Sequence, residues 1–193
     1  MNIEKLVSNL ERLGYIVKTF DDINSANDYL SSNIKNTTVG IGGSMTIEEM
    51  GLCSLLEKDN TVYWHWKKDE LLLAATSDIY LSSVNGISED GEIINIDGTG
   101  NRVASTLYGH KKVYFIFGTN KIAENYDKAL DRARNIAAVK NAIRLKKNTP
   151  CVKTNRCMNC NSPERICRGL TVLWEKPKGS EYEIIIINKE LGY

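Results

Sequence analysis

Cys151, Cys157, Cys160 and Cys167 fall within 17 residues, spaced C-x5-C-x2-C-x6-C. The two-residue gap in Cys157-Met158-Asn159-Cys160 lets neighbouring thiolates reach one metal centre. Pro150, Pro163 and several asparagines mark residues 148–169 as a loop, with no packing reason to bury four thiols. Structural zinc usually takes two close-spaced pairs, and only one is present here. A single C-x2-C with uneven flanks suits a 4Fe-4S iron–sulfur cluster better, with zinc as the alternative. Cys53 stands apart beside Leu52 and Leu56 on an apolar helical face and reads as a core residue, not a ligand.

Two glycine clusters suit an anion. Val39-Gly40-Ile41-Gly42-Gly43-Ser44-Met45-Thr46 lies where a strand gives way to a helix, so backbone N–H groups can approach a ligand, and Ser44 or Thr46 can cap the helix. No Gly-Lys-Ser/Thr follows, so this is not a P-loop, and the dinucleotide fingerprint lacks its third glycine. Asp97-Gly98-Thr99-Gly100-Asn101-Arg102 adds two glycines and a guanidinium able to grip a carboxylate or phosphate. Parallel α/β sheets bind ligands beyond the carboxyl ends of their strands. Gly42, Gly43, Ser44, Asn85, Gly98, Gly100 and Arg102 are therefore expected to share one anion site. His65 between two tryptophans and His110 after Gly109 read as packed residues; Glu48 and Glu49 read as dipole-favourable charges or as a base in the cleft.

The elements that must position these groups follow from periodicity. Ile3, Leu6, Leu10 and Leu13 recur at helical steps, as do Ala26, Tyr29, Leu30 and Ile34, then residues 46–57, 69–75 and 101–108. A long helix is expected over 123–146. Strands are expected at 15–20, 38–41, 62–66, 79–84, 91–96 and 113–117, the last buried on both faces. Asp90-Gly91 suggests a hairpin turn, and 170–175 and 181–187 flank Pro177-Lys178-Gly179-Ser180 as a second antiparallel hairpin. The alternation predicts one α/β domain over 1–193: a Rossmann-like, mostly parallel sheet carrying a C-terminal cysteine loop and β-hairpin.

Composition narrows the partners. The 25 basic and 24 acidic residues leave a net charge of +1, which offers no bulk attraction to nucleic acid or an anionic membrane. Lys140, Arg144, Lys146, Lys147 and Lys153 do concentrate, and read as a solvated helix face. The longest apolar runs, such as Ile184 to Ile187, are far too short to span a bilayer. The opening residues lack a signal peptide's apolar region, so a cytoplasmic location is expected, where thiols stay reduced.

VGIGGSMTIEEMGL (39–52), SDIYLSSVNGISEDGEIINIDGTGNRVAS (77–105), GTNKIAENYDKALDRARNIAAVKNAIRL (118–145) and TPCVKTNRCMNCNSPERIC (149–167) together resemble the LUD-domain family, the lactate-utilisation group once described as a domain of unknown function. The likeness is to its short, stand-alone bacterial form. It implies a fold related to sugar-phosphate isomerases and coenzyme A transferases, and a link to oxidation of L-lactate to pyruvate alongside iron–sulfur partner proteins. It carries over no acid, base or nucleophile. The expectation is a protein that binds a small anionic metabolite within 2-hydroxy acid oxidation; the alternative is a non-catalytic metabolite-binding or assembly subunit with structural zinc.

Overall fold

Asn2 starts the first helix, its side chain accepting from the Lys5 backbone N–H (2.9 Å), and α1 (Ile3–Arg12) buries Leu6 and Leu10. After β1 (Ile16–Phe20), Asp22 caps α2 (Ile23–Asn33) in the same way. There follow β2 (Thr38–Ile41), α3 (Met45–Glu49), α4 (Leu52–Leu56), β3 (Thr61–Trp64), α5 (Leu71–Ala75) and β4 (Ile79–Ser82). The middle of the chain holds β5 (Gly86–Ser88), β6 (Ile93–Asp97), α6 (Asn101–Ser105), β7 (Lys112–Gly118), a 3-10 turn (Thr119–Lys121) and β8 (Ile122–Ala123). The expected long helix is α7 (Tyr126–Arg132), a π-helical turn (Ala133–Ala137) and α8 (Ala138–Arg144); α9 (Pro150–Thr154), β9 (Gly169–Leu173) and β10 (Glu181–Ile187) complete the chain. This computed structural model describes residues 2–64, 66 and 70–193, so His65 and the expected helix start at Asp69 lie outside it.

Six strands form one sheet in the order β1-β10-β7-β4-β2-β3, and every pairing in it is parallel. The fold class is thus a parallel α/β sheet covered on both faces, as expected. Alternation along β10 divides the core: Ile185 and Ile187 pack with Leu30, Ile41 and Ile116, whereas Ile184 and Ile186 pack with Leu6, Leu10 and Phe115.

A smaller sheet, β8-β5-β6-β9, stands beside it. The expected hairpin turn at Asp90-Gly91 forms and leads into β6, antiparallel with Ile87 opposite Ile93, but its first arm, β5, was not among the expected strands. The second expected hairpin is not formed. β9 pairs antiparallel with β6 (Val172 opposite Ile94), whereas β10 crosses to the large sheet and inserts between β1 and β7. The reason is burial: Tyr182 and all of Glu183 to Ile187 are buried, which suits a central parallel strand and not a hairpin arm with one wet face. Among the described residues no helix is long and apolar enough to cross a membrane.

Candidate functional site

The carboxyl ends of five parallel strands open onto a cavity of about 310 Å³. Gly43 and Ser44 reach it after β2, Trp66 after β3, Ser83 and Asn85 after β4, Lys121 after β7, and Tyr193 after β10. The far wall comes from Asp97, Gly98 and Arg102 on one side and from Ala138, Asn141 and Arg144 of α8 on the other. The π-helical turn ends at Ala137 and resets the register that aims α8 at the cavity, a common position for such turns.

Of the seven residues expected to bind an anion, Gly43, Ser44, Asn85, Gly98 and Arg102 line this cavity. Gly42 sits behind it, its carbonyl accepting from the Trp64 indole N–H (3.1 Å). Gly100 precedes α6 at φ +94°. A side chain at Gly43 would strike the Trp66 indole nitrogen at 2.7 Å, so glycine here lets the tryptophan close the wall. Ser44 is the helix cap, its hydroxyl accepting from Ile47 N–H (3.3 Å); Thr46 is turned elsewhere.

The second glycine cluster is already served by the protein's own carboxylate. Asp97 accepts from the N–H groups of Thr99 (3.1 Å), Gly100 (3.2 Å) and Val103 (3.2 Å). Arg102 is similarly engaged. Its Nη1 donates to Asn95 Oδ1 (2.7 Å) and the Ser83 carbonyl (3.5 Å); its Nη2 donates to the Ile96 carbonyl (2.6 Å) and Asn85 Oδ1 (3.3 Å). All four terminal protons have protein acceptors, so Arg102 supplies positive charge and holds the wall together, and offers no free fork to a carboxylate.

Lys121 is the residue that sequence reasoning passed over. It is 4% exposed, and its Nζ donates to the hydroxyls of Thr46 (3.0 Å) and Ser83 (3.0 Å), which lie 3.2 Å apart. Burial, with the nearby charges of Arg132 and Arg102, pulls its amino group down to about 7. Arg144, expected on a solvated face, instead stacks its guanidinium 4.5 Å over the Trp66 ring and lines the cavity. The charged lining is therefore Asp97 against Arg102, Lys121 and Arg144, a net positive wall.

The remaining candidates take structural positions. Glu48 and Glu49 are exposed, Glu49 accepting from Gly192 N–H (2.6 Å). His110 is buried, stacked on Tyr80 at 4.7 Å, with Nδ1 2.6 Å from the Ser77 carbonyl; burial lowers its basicity. Cys53 is 2% exposed in the apolar core, as expected.

The cysteine loop folds against the outer side of this wall. Gly98 is the contact point: a side chain there would meet the Ile166 carbonyl at 2.8 Å. The Arg168 N–H donates to the Asp97 carbonyl (2.9 Å), fastening the loop's end where β9 begins. Arg165 holds the turn, donating to the carbonyls of Cys160 (2.8 Å) and Cys167 (2.8 Å). Cys157 and Cys167 open into a second cavity of about 260 Å³, flanked by Arg134, Arg165 and Arg168; Arg134 Nη2 lies 3.7 Å from Cys157 Sγ. Cys151 Sγ instead meets the Thr149 hydroxyl (3.2 Å).

Among the described residues, no three His, Cys, Asp or Glu side chains are gathered closely enough to hold a metal ion. The expected loop holds one short helix, α9, which carries Cys151, whereas Cys157, Cys160 and Cys167 lie on the loop after it. In kind these four thiols of intermediate exposure fit a thiolate-bound centre, and Arg134, Arg165 and Arg168 beside Cys157 and Cys167 suit an anionic cluster. Their common centre is not assembled at these side-chain positions.

Comparison with known proteins fits this architecture. In a DUF162 family protein from Deinococcus radiodurans the same fold recurs, with a TM-score of 0.52 at 12% identity over 96% of this chain and 95% of that one. Ribose 5-phosphate isomerase A from Neisseria gonorrhoeae gives a TM-score of 0.36 at 12% identity, over 53% of each chain. No curated protein sequence matches the chain. The sequence model of the LUD domain, however, matches residues 3–187, which takes in both sheets, the lysine-floored cavity and the cysteine loop, and the chain therefore belongs to the LUD domain family.

Proposed function

We propose that the cavity at the strand ends binds a small anionic metabolite, a carboxylate or phosphate, and that the protein is a component of 2-hydroxy acid oxidation of the lactate type. The observation that carries this reading is the cavity floor: the Lys121 amino group, buried and held by two hydroxyls, beneath walls bearing Arg102 and Arg144. An anion there gains an electrostatic partner in a water-poor site, where such contacts are strongest. The volume of about 310 Å³ admits a small acid.

The loop over 148–169 is assigned to a 4Fe-4S cluster held by Cys151, Cys157, Cys160 and Cys167. Metal binding is coupled to folding of the segment that holds it, so the thiols would close together as the metal binds. When bound, such a cluster supplies one-electron transfer. Ile96 and Ala138 line both cavities, so the two compartments are separated by a single layer of side chains.

Calorimetry with L-lactate, pyruvate and inorganic phosphate tests the first part, using the wild type and Lys121→Met. At about pH 6, where Lys121 still carries its proton, at least one anion should bind, about tenfold or more weaker in the variant, consistent with loss of one charge-assisted contact. Equal affinity in both proteins would remove Lys121 from the site. Visible absorbance and metal content after anaerobic purification test the second part. A colourless protein with stoichiometric zinc would favour the non-catalytic binding subunit instead.

A further inference from the structure

We propose that Lys121 is a carbonyl-capturing amine, forming a reversible imine with carbon 2 of a bound 2-oxo acid. This rests on the metabolite-binding reading above and names its substrate class and the reacting atom.

Three observations lead to it. First, Lys121 ends the 3-10 turn directly after β7, so a rigid central strand delivers its amino group to the cavity floor. Second, among the described residues no carboxylate hydrogen-bonds or ion-pairs with its amino group, Glu49 acting on it only through its field; its contacts are the hydroxyls of Thr46 and Ser83, each at 3.0 Å. A neutral amine that donates its two protons to two hydroxyls keeps a lone pair for an electrophile, whereas an ammonium has none. Third, the surroundings favour that neutral form as pH rises through about 7: burial first, then the charges of Arg132 and Arg102, which together outweigh the opposing pull of the Glu49 carboxylate. Those same cationic walls suit a carboxylate, which places the adjacent ketone over the amine. Phosphate would use the charge but give the lone pair nothing to attack.

The step balances without an added oxidant or reductant. The Nζ lone pair attacks the ketone carbon, the C–N bond forms, and the carbonyl π electrons move to oxygen. A proton passes from nitrogen to that oxygen, for which the Thr46 and Ser83 hydroxyls, 3.2 Å apart, form a short relay. The nitrogen's second proton follows the same route as the C–O bond breaks, so water leaves and the neutral imine remains; water addition reverses the sequence.

Borohydride trapping tests this. It adds hydride to the imine carbon and fixes the link as a secondary amine. Wild-type protein is incubated with pyruvate as probe, reduced, digested and mapped by mass. The expected result is one adduct per chain on the peptide containing Lys121, increasing as pH rises through about 7. L-lactate, which has no ketone, should give no adduct of its own and should suppress that of pyruvate. Lys121→Arg, which keeps a cation without a nucleophilic amine, should lose the label, with a thermal melt confirming its fold. If pyruvate and lactate bind by calorimetry but Lys121 takes no label, imine formation is wrong and the binding reading stands; Lys121 is then at most a proton carrier. Label spread over exposed lysines and unchanged in Lys121→Arg overturns it too. Absence of binding by both acids removes imine capture, and absence of binding by phosphate as well removes the binding reading too.

Discussion

Lys121 costs the fold something, and that cost has a pH dependence. Its amino group titrates near 7 in the folded protein against an ordinary 10.5. Between those values the unfolded chain holds a proton that the folded chain does not, so this group makes stability rise with pH across that window. Below about 7 both states are protonated, and the folded state carries the full penalty of a buried ammonium. Lys121→Met should therefore raise stability at pH 6 to 7 by roughly 1–3 kcal/mol, a gain that fades toward pH 10. Thermal melts across that range check it; a destabilised variant would mean that the two hydroxyl contacts outweigh desolvation. Arg102 should behave in the opposite way. Arg102→Ala leaves the Ile96 carbonyl and Asn95 Oδ1 without their shortest donor, and is expected to lower stability by roughly 2–4 kcal/mol. An unchanged melting temperature with weakened anion binding would instead assign Arg102 to direct ligand contact.

At the scale of elements, the joint between the cysteine loop and β6 is the sensitive one. Gly98→Ala places a methyl against the Ile166 carbonyl, where neither backbone can yield cheaply. The loop end should shift while the large sheet stays intact. Hydrogen exchange is expected to quicken at Arg168 and along β9 but not in β7 or β10, and uniform protection would show that the joint tolerates the change. The same region shows what the sequence discloses and what it withholds. Helices and strands were legible because caps such as Asn2 and Asp22 and the apolar periods act locally. The turn at 177–180 was also legible, yet a turn does not say which strands it joins. The pairing of β10 with β1 spans most of the chain and that with β7 about a third of it, and the local sign was an unbroken isoleucine run, the mark of a strand buried on both faces. Glycine spacing located the rim of the cavity, but Asp97 had already filled the donors that spacing seemed to offer. Lys121 could be found only by noticing that a lysine follows VYFIFG, at the carboxyl end of an apolar strand; its burial is a tertiary fact.

Across the whole molecule, two compartments share one wall, and their dependence on each other is testable. Cys157→Ala should remove bound metal and loosen residues 150–168, while anion binding at Lys121 persists and the core melts as before; Cys53→Ala should leave metal content intact. Metal analysis and calorimetry on both variants check this, and full metal in the Cys157 variant would dissolve the assignment of a common centre. The insertion of β10 has a different kind of consequence, one of timing. β1 has β10 as its sheet neighbour, and about 160 residues separate them in the chain. At a synthesis rate of ~5–20 residues per second, β1 waits roughly 10–30 s for its partner to emerge from the ribosome. Throughout that interval β1 is an open strand, and over about the last 60 residues the facing edge of β7 is open too; such edges recruit foreign chains. Closure of the large sheet is thus a late event in the life of each new molecule, completed only once β10 has been made.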